Sequence, residues 1–280
     1  MKKKLFYDLC LYGVIFALAI SAKPPAVQTL KNADEQKTEL VILMYHGFVR
    51  SGKESEYVLS VSKLEDDIMY LKEKGYEFTD TNDLINYVNG YGNLPQKCAM
   101  LTFDDGYLNN YTYAFPIIKK HGIKVVISPI AYYVEQHTIK GIRDPVYSQL
   151  TSKEIKEMHQ SGLVDFQNHS YNMHSLTHRK GSARLNHEKS EEYIREFYYD
   201  LKAAENVIHD ITGTKTHAYI YPFGNISAES KYILKCCGYK MTLGCTEGIN
   251  YISSDPECLF TLKRYNRTPQ KSARQIMSQY

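Results

Sequence analysis

Short apolar runs alternate with helix-like segments over most of this chain, and this alternation constrains the fold more than any other feature. Five runs are typical of buried strands: 98–103, 123–128, 163–167, 217–221 and 239–244. Strands that alternate with helices form parallel βαβ units. The sequence therefore predicts an α/β fold, a distorted (β/α) barrel in which the carboxyl ends of the strands share one rim.

The segments between the runs differ in how clearly they predict helices. Residues 109–120 and 188–210 have helical periodicity, and Thr151 with Glu154 forms a capping box that opens a helix up to Ser161. The stretch from 129 to 150 has no comparable signal. We expect a long loop there.

Two adjacent carboxylates, Asp104 and Asp105, end the apolar run 98–103 and precede Gly106. Asp-Asp-Gly alone is also typical of a simple turn. Neighbouring side chains of a strand point to opposite sides, so the two carboxylates can have different roles. One can bind a metal ion, and the other can act as a general base on a water molecule.

Histidines follow the run 163–167 in the same way. His169 and His174 form one possible pair, and His174 and His178 form another. We favour His169 with His174, because His169 comes directly after a strand, and we interpret His178 as a neighbouring or surface residue. One carboxylate and two neutral imidazoles are a suitable divalent-metal site with positions open for water and substrate. The sequence thus indicates a metal-dependent hydrolase.

The N-terminus has the pattern of an export segment. Three lysines, at positions 2 to 4, precede an apolar stretch from Leu9 to Ile20, which is short for a membrane-spanning helix. We interpret residues 1–22 as a signal peptide, with an uncleaved membrane anchor as the alternative, and residues 23–39 as a polar linker. The remaining domain, 40–280, would then be extracellular or associated with the cell envelope, with membrane contact only through the N-terminal segment.

Charge argues against one class of partner. The chain has 34 Lys and Arg against 31 Asp and Glu, a net charge of +3, and its basic residues do not cluster in the body of the sequence. A nucleic-acid partner is therefore not expected.

Several segments resemble the motifs of one known family, the polysaccharide deacetylases of carbohydrate esterase family 4, also called the NodB-homology group. Thr102 to Gly106 matches the family's first motif letter for letter. His169-Ser170 followed by His174 resembles its second motif, H-[ST]-x-x-H, with one extra residue, and Tyr219 to Gly224 resembles the third. The longer histidine spacing is similar to the branch that deacetylates poly-β-1,6-N-acetylglucosamine. The resemblance covers residues 40–268.

The resemblance implies a role for each matching residue. The metal ligands would be Asp105, His169 and His174, with zinc as the usual ion and cobalt or another divalent ion as alternatives. Asp104 would be the general base. The main chain at Phe223 would help to hold the oxyanion. Arg264 would replace the arginine that usually pairs with the base in the third motif.

His46 follows another strand-like run, 40–44, and is a candidate for substrate contact or for a structural role. Many family members also have a late histidine as general acid, but no histidine follows His217 in this chain. We therefore expect modest turnover.

The implied function is the removal of acetyl groups from glycans that contain N-acetylglucosamine, in exopolysaccharide or peptidoglycan. Two alternatives remain open at this point. An O-acetyl esterase acting on xylan would need the same metal and base, and a catalytically inactive glycan-binding envelope protein could use the same scaffold.

Overall fold

The computed structural model describes residues 37–177 and 179–280. The strands in this part of the chain are β1 (Thr38–Tyr45), β2 (Gly47–Val49), β3 (Val58–Ser60), β4 (Glu77–Phe78), β5 (Lys97–Asp105), β6 (Val125–Pro129), β7 (Val164–Phe166), β8 (Ala218–Ile220), β9 (Met241–Leu243), β10 (Asn250–Ile252) and β11 (Tyr265–Asn266). The α-helices are α1 (Val61–Glu73), α2 (Thr81–Val88), α3 (Phe115–His121), α4 (Ala131–Lys140), α5 (Ser152–Gln160), α6 (Ser190–Thr212), α7 (Ala228–Cys236) and α8 (Ala273–Met277).

The main sheet has the strand order β10-β1-β5-β6-β7, and every pair along it is parallel except β10 with β1. β8 and β9 form a separate parallel pair. Two isolated bridges, Asn168 to Tyr219 and Leu243 to Leu262, continue the ladder on either side of this pair, and β11 then pairs with β1. The strands therefore form an irregular ring, and the predicted α/β fold is confirmed.

Alternation along β1 shows how the sequence builds two apolar layers. Leu40 and Ile42 pack with residues of β8 and β9 inside the ring, whereas Val41, Leu43 and Tyr45 pack on the other side of the sheet with α1 and α3. Successive side chains of a strand point to opposite faces, so a continuous apolar run can contribute to both layers.

Two expectations about the elements need correction. The stretch expected to be a long loop contains helix α4, and the helix expected over 109–120 begins with a π-helical turn, Asn110–Ala114, before α3. The capping box at Thr151 is present as predicted.

The first strand also begins earlier than expected. β1 starts at Thr38, so Thr38 and Glu39 belong to the sheet rather than to the linker. The expected signal segment, 1–22, and the linker up to residue 36 lie outside the described residues. Within those residues, none of the helices has the length and apolar character required to span a bilayer.

Gly106 allows the loop after β5 to pass close to the end of β6. Its φ is +75°, and a Cβ added there would lie 2.5 Å from the Cβ of Pro129. We expect Gly106→Ala to lower the free energy of unfolding by more than the roughly 1–2 kcal/mol of a left-handed backbone alone, because overpacking adds about 1–3 kcal/mol. Urea denaturation measures this difference.

Gly122→Ala is the matched control for this substitution. Gly122 also has a positive φ, +59°, but among the described residues no heavy atom beyond its own stretch of chain lies within 4 Å of an added Cβ. This variant should show only the backbone cost. Equal losses in the two variants would contradict the close approach between Gly106 and Pro129.

Candidate metal and catalytic site

The chemistry-bearing residues meet at one end of the ring. Asp104 and Asp105 are the last two residues of β5, His169 follows the bridge beyond β7, and Phe223 follows β8. His46 comes directly after β1. Because these strands are parallel neighbours, their carboxyl ends share the same rim.

Asp105, His169 and His174 form a compact cluster. Their potential ligand atoms all lie within 4.8 Å of one another. The Nε2 atoms of His169 and His174 are 3.5 Å and 3.2 Å from Oδ1 of Asp105. His169 and Asp105 are buried and His174 is partly buried, so the cluster is reached from one side. The alternative ligand, His178, lies outside the described residues.

The chemistry of these atoms fits a divalent cation. Nδ1 of His169 lies 2.8 Å from the carbonyl oxygen of Ile220, which can only accept a hydrogen bond. The proton of a neutral ring is therefore assigned to Nδ1, and the lone pair of Nε2 faces Asp105. Oδ1 of Asp105 is itself buried without a hydrogen-bond partner. Nε2 of His169 and Oδ1 of Asp105 are thus two acceptors that face each other across a short gap, and a cation between them would bind to both.

The pKa of Asp105 is consistent with a ligand that stays ionised. Burial alone would raise this pKa, but hydrogen bonds from the protonated imidazoles of His169 and His174 outweigh burial and hold it well below its ordinary value. A cation between the same atoms would act in the same direction when the imidazoles are neutral.

Asp104 lies beside this cluster but has different partners. Its Oδ1 accepts hydrogen bonds from Nη1 of Arg264 at 2.8 Å and from the hydroxyl of Ser128 at 3.1 Å. Burial raises the pKa of Asp104, and the positive charge of Arg264 more than compensates, so the net shift is downward. The carboxylate is therefore ionised and held in one orientation.

Arg264 is completely buried, and its guanidinium is fixed by groups from two parts of the chain, Gly244 after β9 and two residues of β5. Nε donates to the carbonyl of Gly244 at 2.8 Å, and Nη1 donates to the hydroxyl of Thr102 as well as to Asp104. The structure thus brings Arg264 to the candidate base, as the resemblance implied.

His46 and Phe223 border the same site. The ring of His46 packs edge-on against Tyr57 with centroids 4.9 Å apart, and burial lowers the pKa of His46 although Asp104 and Asp105 oppose this. The ring of Phe223 lies 4.4 Å from that of His174. The φ of Phe223 is +56°, an unusual main-chain conformation for a residue with a Cβ.

One residue near the base was not singled out from the sequence. Ser128 is a buried polar residue in the otherwise apolar strand β6. Its position as the last residue of the predicted strand 123–128 is the signal that could have identified it.

A parallel αβ ring that carries a carboxylate–histidine cluster beside a buried, ionised carboxylate is typical of hydrolases. A sequence-family model described as polysaccharide deacetylase matches residues 91–242, just over half of the chain. The chain belongs to the polysaccharide deacetylase family. Several of its relatives are named as N-deacetylases, which are hydrolases that cleave a carbon–nitrogen bond.

Comparison with individual proteins agrees with this membership. YxkH of Bacillus subtilis (strain 168) is 26% identical over 294 residues, which cover 95% of this chain and 94% of YxkH. The poly-beta-1,6-N-acetyl-D-glucosamine N-deacetylase of Staphylococcus aureus (strain MRSA252) is 27% identical over 194 residues, 69% of this chain and 63% of that enzyme. The structure of IcaB from Ammonifex degensii aligns with a TM-score of 0.71 at 26% identity, over 86% of this chain and 96% of that one.

Proposed function

We propose that this protein is an exported, divalent-metal-dependent N-deacetylase that removes acetyl groups from polymers of N-acetylglucosamine. One observation carries the proposal. A buried carboxylate, Asp104, is held ionised by Arg264 directly beside three residues that can hold a divalent cation: Asp105, His169 and His174.

Each residue then has a distinct task. A divalent ion held by Asp105, His169 and His174 would supply Lewis-acid polarisation of the acetamide carbonyl and a lower pKa for a water molecule. Asp104 takes the proton from the attacking water as general base. As the carbon–nitrogen bond breaks, acetate leaves and the amine nitrogen receives a proton from solvent water. The main-chain N–H of Phe223 donates to the carbonyl oxygen as negative charge develops there. His46 contacts the sugar.

The proposed substrate is a glycan with β-1,6-linked N-acetylglucosamine. The S. aureus relative is named as an N-deacetylase of this polymer, and the histidine spacing of this chain is similar to that branch. Export is proposed from the signal-like pattern of residues 1–22, and it would bring the enzyme to a polymer outside the cell. Zinc is the proposed ion, and cobalt is an alternative, because two imidazoles and one carboxylate suit both.

Acetate release from defined substrates tests this function. The purified protein with added Zn²⁺ or Co²⁺ is incubated with β-1,6-linked and β-1,4-linked N-acetylglucosamine oligomers and with acetylated xylan. Release from the β-1,6 oligomer supports the proposal. Release from the β-1,4 oligomer alone favours peptidoglycan, and release from xylan alone favours an O-acetyl esterase. No release from any substrate, with metal bound, favours a catalytically inactive glycan-binding protein.

Removal of the metal should abolish the activity reversibly. After treatment with a chelator we expect acetate release to fall to background and to return when Zn²⁺ or Co²⁺ is added back, because the cation polarises the reacting carbonyl. Circular dichroism before and after treatment is the control for unfolding. Full activity in protein shown to be free of metal would contradict metal dependence.

A further inference from the structure

The main chain between the two candidate histidine ligands is held from both sides by helices. This segment, Ser170 to Met173, contains the residue by which the chain exceeds the shorter H-[ST]-x-x-H form. Ser170 has a φ of +71°, which a residue with a Cβ adopts only when its surroundings enforce it. The position of His174 relative to His169 therefore depends on how well the segment is supported.

Helix α4 supports the carbonyl groups of the segment. The N–H groups of Ala131 and Tyr132, at the N-terminus of α4, donate to the carbonyls of Ser170 and Tyr171 at 3.2 Å and 3.0 Å. The hydroxyl of Tyr171 also donates to Glu135 on the same helix at 2.7 Å.

Helix α6 supports the N–H groups through one side chain. Oδ1 of Asp200 accepts the N–H of Tyr171 at 2.8 Å, and Oδ2 accepts the N–H of Asn172 at 2.7 Å. The N–H of Met173 also faces this carboxylate. Successive main-chain N–H groups that converge in this way form a concave site for an anion. Asp200 thus provides the negative charge that this segment requires.

The environment of Asp200 agrees with this role. Burial raises the pKa of Asp200 to about 6 in spite of the main-chain hydrogen bonds, so the group is ionised at neutral pH. Charge-assisted hydrogen bonds to main-chain N–H groups are stronger than neutral ones. A single carboxylate can therefore fix two or three consecutive residues.

We propose that Asp200 is a positioning residue that fixes the segment between His169 and His174 and thereby sets the affinity of the site for its divalent cation. The inference rests on the proposed metal-dependent function. Asp200 does not contact the cation itself. It acts because a ligand held in place before binding loses less conformational freedom when the ion arrives.

The test is the dissociation constant for Zn²⁺, measured by competition with a chromophoric chelator in the full-length protein and in Asp200→Asn. Asparagine has the same shape, but its amide nitrogen would face one of the two N–H donors and leave that donor unpaired. We expect affinity to fall by roughly ten- to hundredfold, the usual effect of removing a group that supports a metal ligand. The absorption spectrum of bound Co²⁺ should change as well, and excess Zn²⁺ should restore much of the lost activity.

Two variants are matched controls. Asp210→Asn makes the same substitution on the exposed side of the same helix, and Glu135→Gln removes a charge but keeps an acceptor for the Tyr171 hydroxyl and leaves the N–H groups untouched. Both should have a dissociation constant for Zn²⁺ within about threefold of the wild-type value, a much smaller change than that expected for Asp200→Asn.

Thermal unfolding of the metal-free proteins separates a general loss of stability from a specific loss of affinity for Zn²⁺. If Asp200→Asn fails to fold, Asp200→Glu, which keeps the charge but moves it by one methylene, should show the same direction of change.

The outcomes separate this inference from the proposed function. A wild-type protein that binds neither Zn²⁺ nor Co²⁺ overturns the metal-dependent function and the inference with it. A wild-type protein that binds Zn²⁺, with unchanged affinity in Asp200→Asn, overturns the positioning role alone. Equal losses of affinity in Asp200→Asn and Asp210→Asn also overturn it.

Discussion

Asp104→Asn should reduce the rate of acetate release by about 10²- to 10⁴-fold, the usual contribution of a general base. Asparagine keeps the shape of the side chain and can still accept a hydrogen bond from Arg264, but it cannot take a proton from water. The measurement is kcat on the β-1,6 oligomer at saturating metal. Bound Zn²⁺ should stay within a few-fold of the wild-type value, because Asp104 lies beside the candidate ligands and is not one of them.

Asp105→Asn is the matched comparison, because the same substitution is made one residue later. It should lose activity together with metal affinity, since an ionised ligand becomes a neutral amide. The pair of variants therefore separates base from ligand. If Asp104→Asn released acetate at the wild-type rate, or lost metal as completely as Asp105→Asn, the assigned role of Asp104 would be wrong.

The rim of the ring was predictable because it depends on a local pattern. An apolar run that ends in polar residues marks the carboxyl end of a buried strand, and this holds for Asp104, Asp105 and His169. Parallel topology then requires that these ends lie together, although Asp105 and His169 are distant in sequence. The positions of Asp104, Asp105 and His169 thus follow from strand assignment, whereas the position of His174 depends on the loop segment Ser170 to Met173.

Helix α4 was missed for a physical reason. Its N-cap, Ile130, makes no side-chain capping hydrogen bond, and its sequence has only a weakly amphipathic pattern. The first N–H groups of α4 instead donate to Ser170 and Tyr171, which are almost forty residues further along the chain. A helix that is capped by a distant loop has no local start signal.

The side chains that hold the site in place, Asp200 and Arg264, also lack a local sequence signal for their contacts. Asp200 is one of several acidic residues on α6, and only its contact with Tyr171 and Asn172 distinguishes it from its exposed neighbours. Arg264 could be proposed as the partner of Asp104 from the resemblance, but the hydrogen bonds that fix its guanidinium come from Gly244 and Thr102. Such contacts depend on the tertiary structure.

Arg264→Met should lower the free energy of unfolding by about 3–5 kcal/mol at neutral pH, because it leaves the buried carboxylate of Asp104 without its counter-charge. Methionine fills a similar volume, so the loss comes mainly from the unpaired carboxylate and from the missing hydrogen bonds to Gly244 and Thr102. Urea denaturation gives the value.

The effect of Arg264 on stability should depend on pH. Because Arg264 lowers the pKa of Asp104, the ionised pair stabilises the fold fully above the pKa of an unfolded aspartate. This stabilisation is lost as the pH falls through the pKa of Asp104 in the folded protein. The difference in the free energy of unfolding between Arg264→Met and the wild type should therefore become smaller at acidic pH.

The double variant Asp104→Asn with Arg264→Met shows whether the two charged side chains stabilise the fold as a pair or independently. Removing both leaves no isolated buried charge, so its loss of stability should be smaller than the sum of the two single losses, by about 0.5–3 kcal/mol. Arg264→Lys keeps a charge but lacks the planar fork that reaches Asp104, Thr102 and Gly244 together, so it should be intermediate. Additive losses would mean that Arg264 stabilises the fold independently of Asp104, through its packing and its hydrogen bonds to Gly244 and Thr102. The ionisation and orientation of the base would then need another cause, and Ser128, the other described side chain bonded to Asp104, would be the residue to vary next.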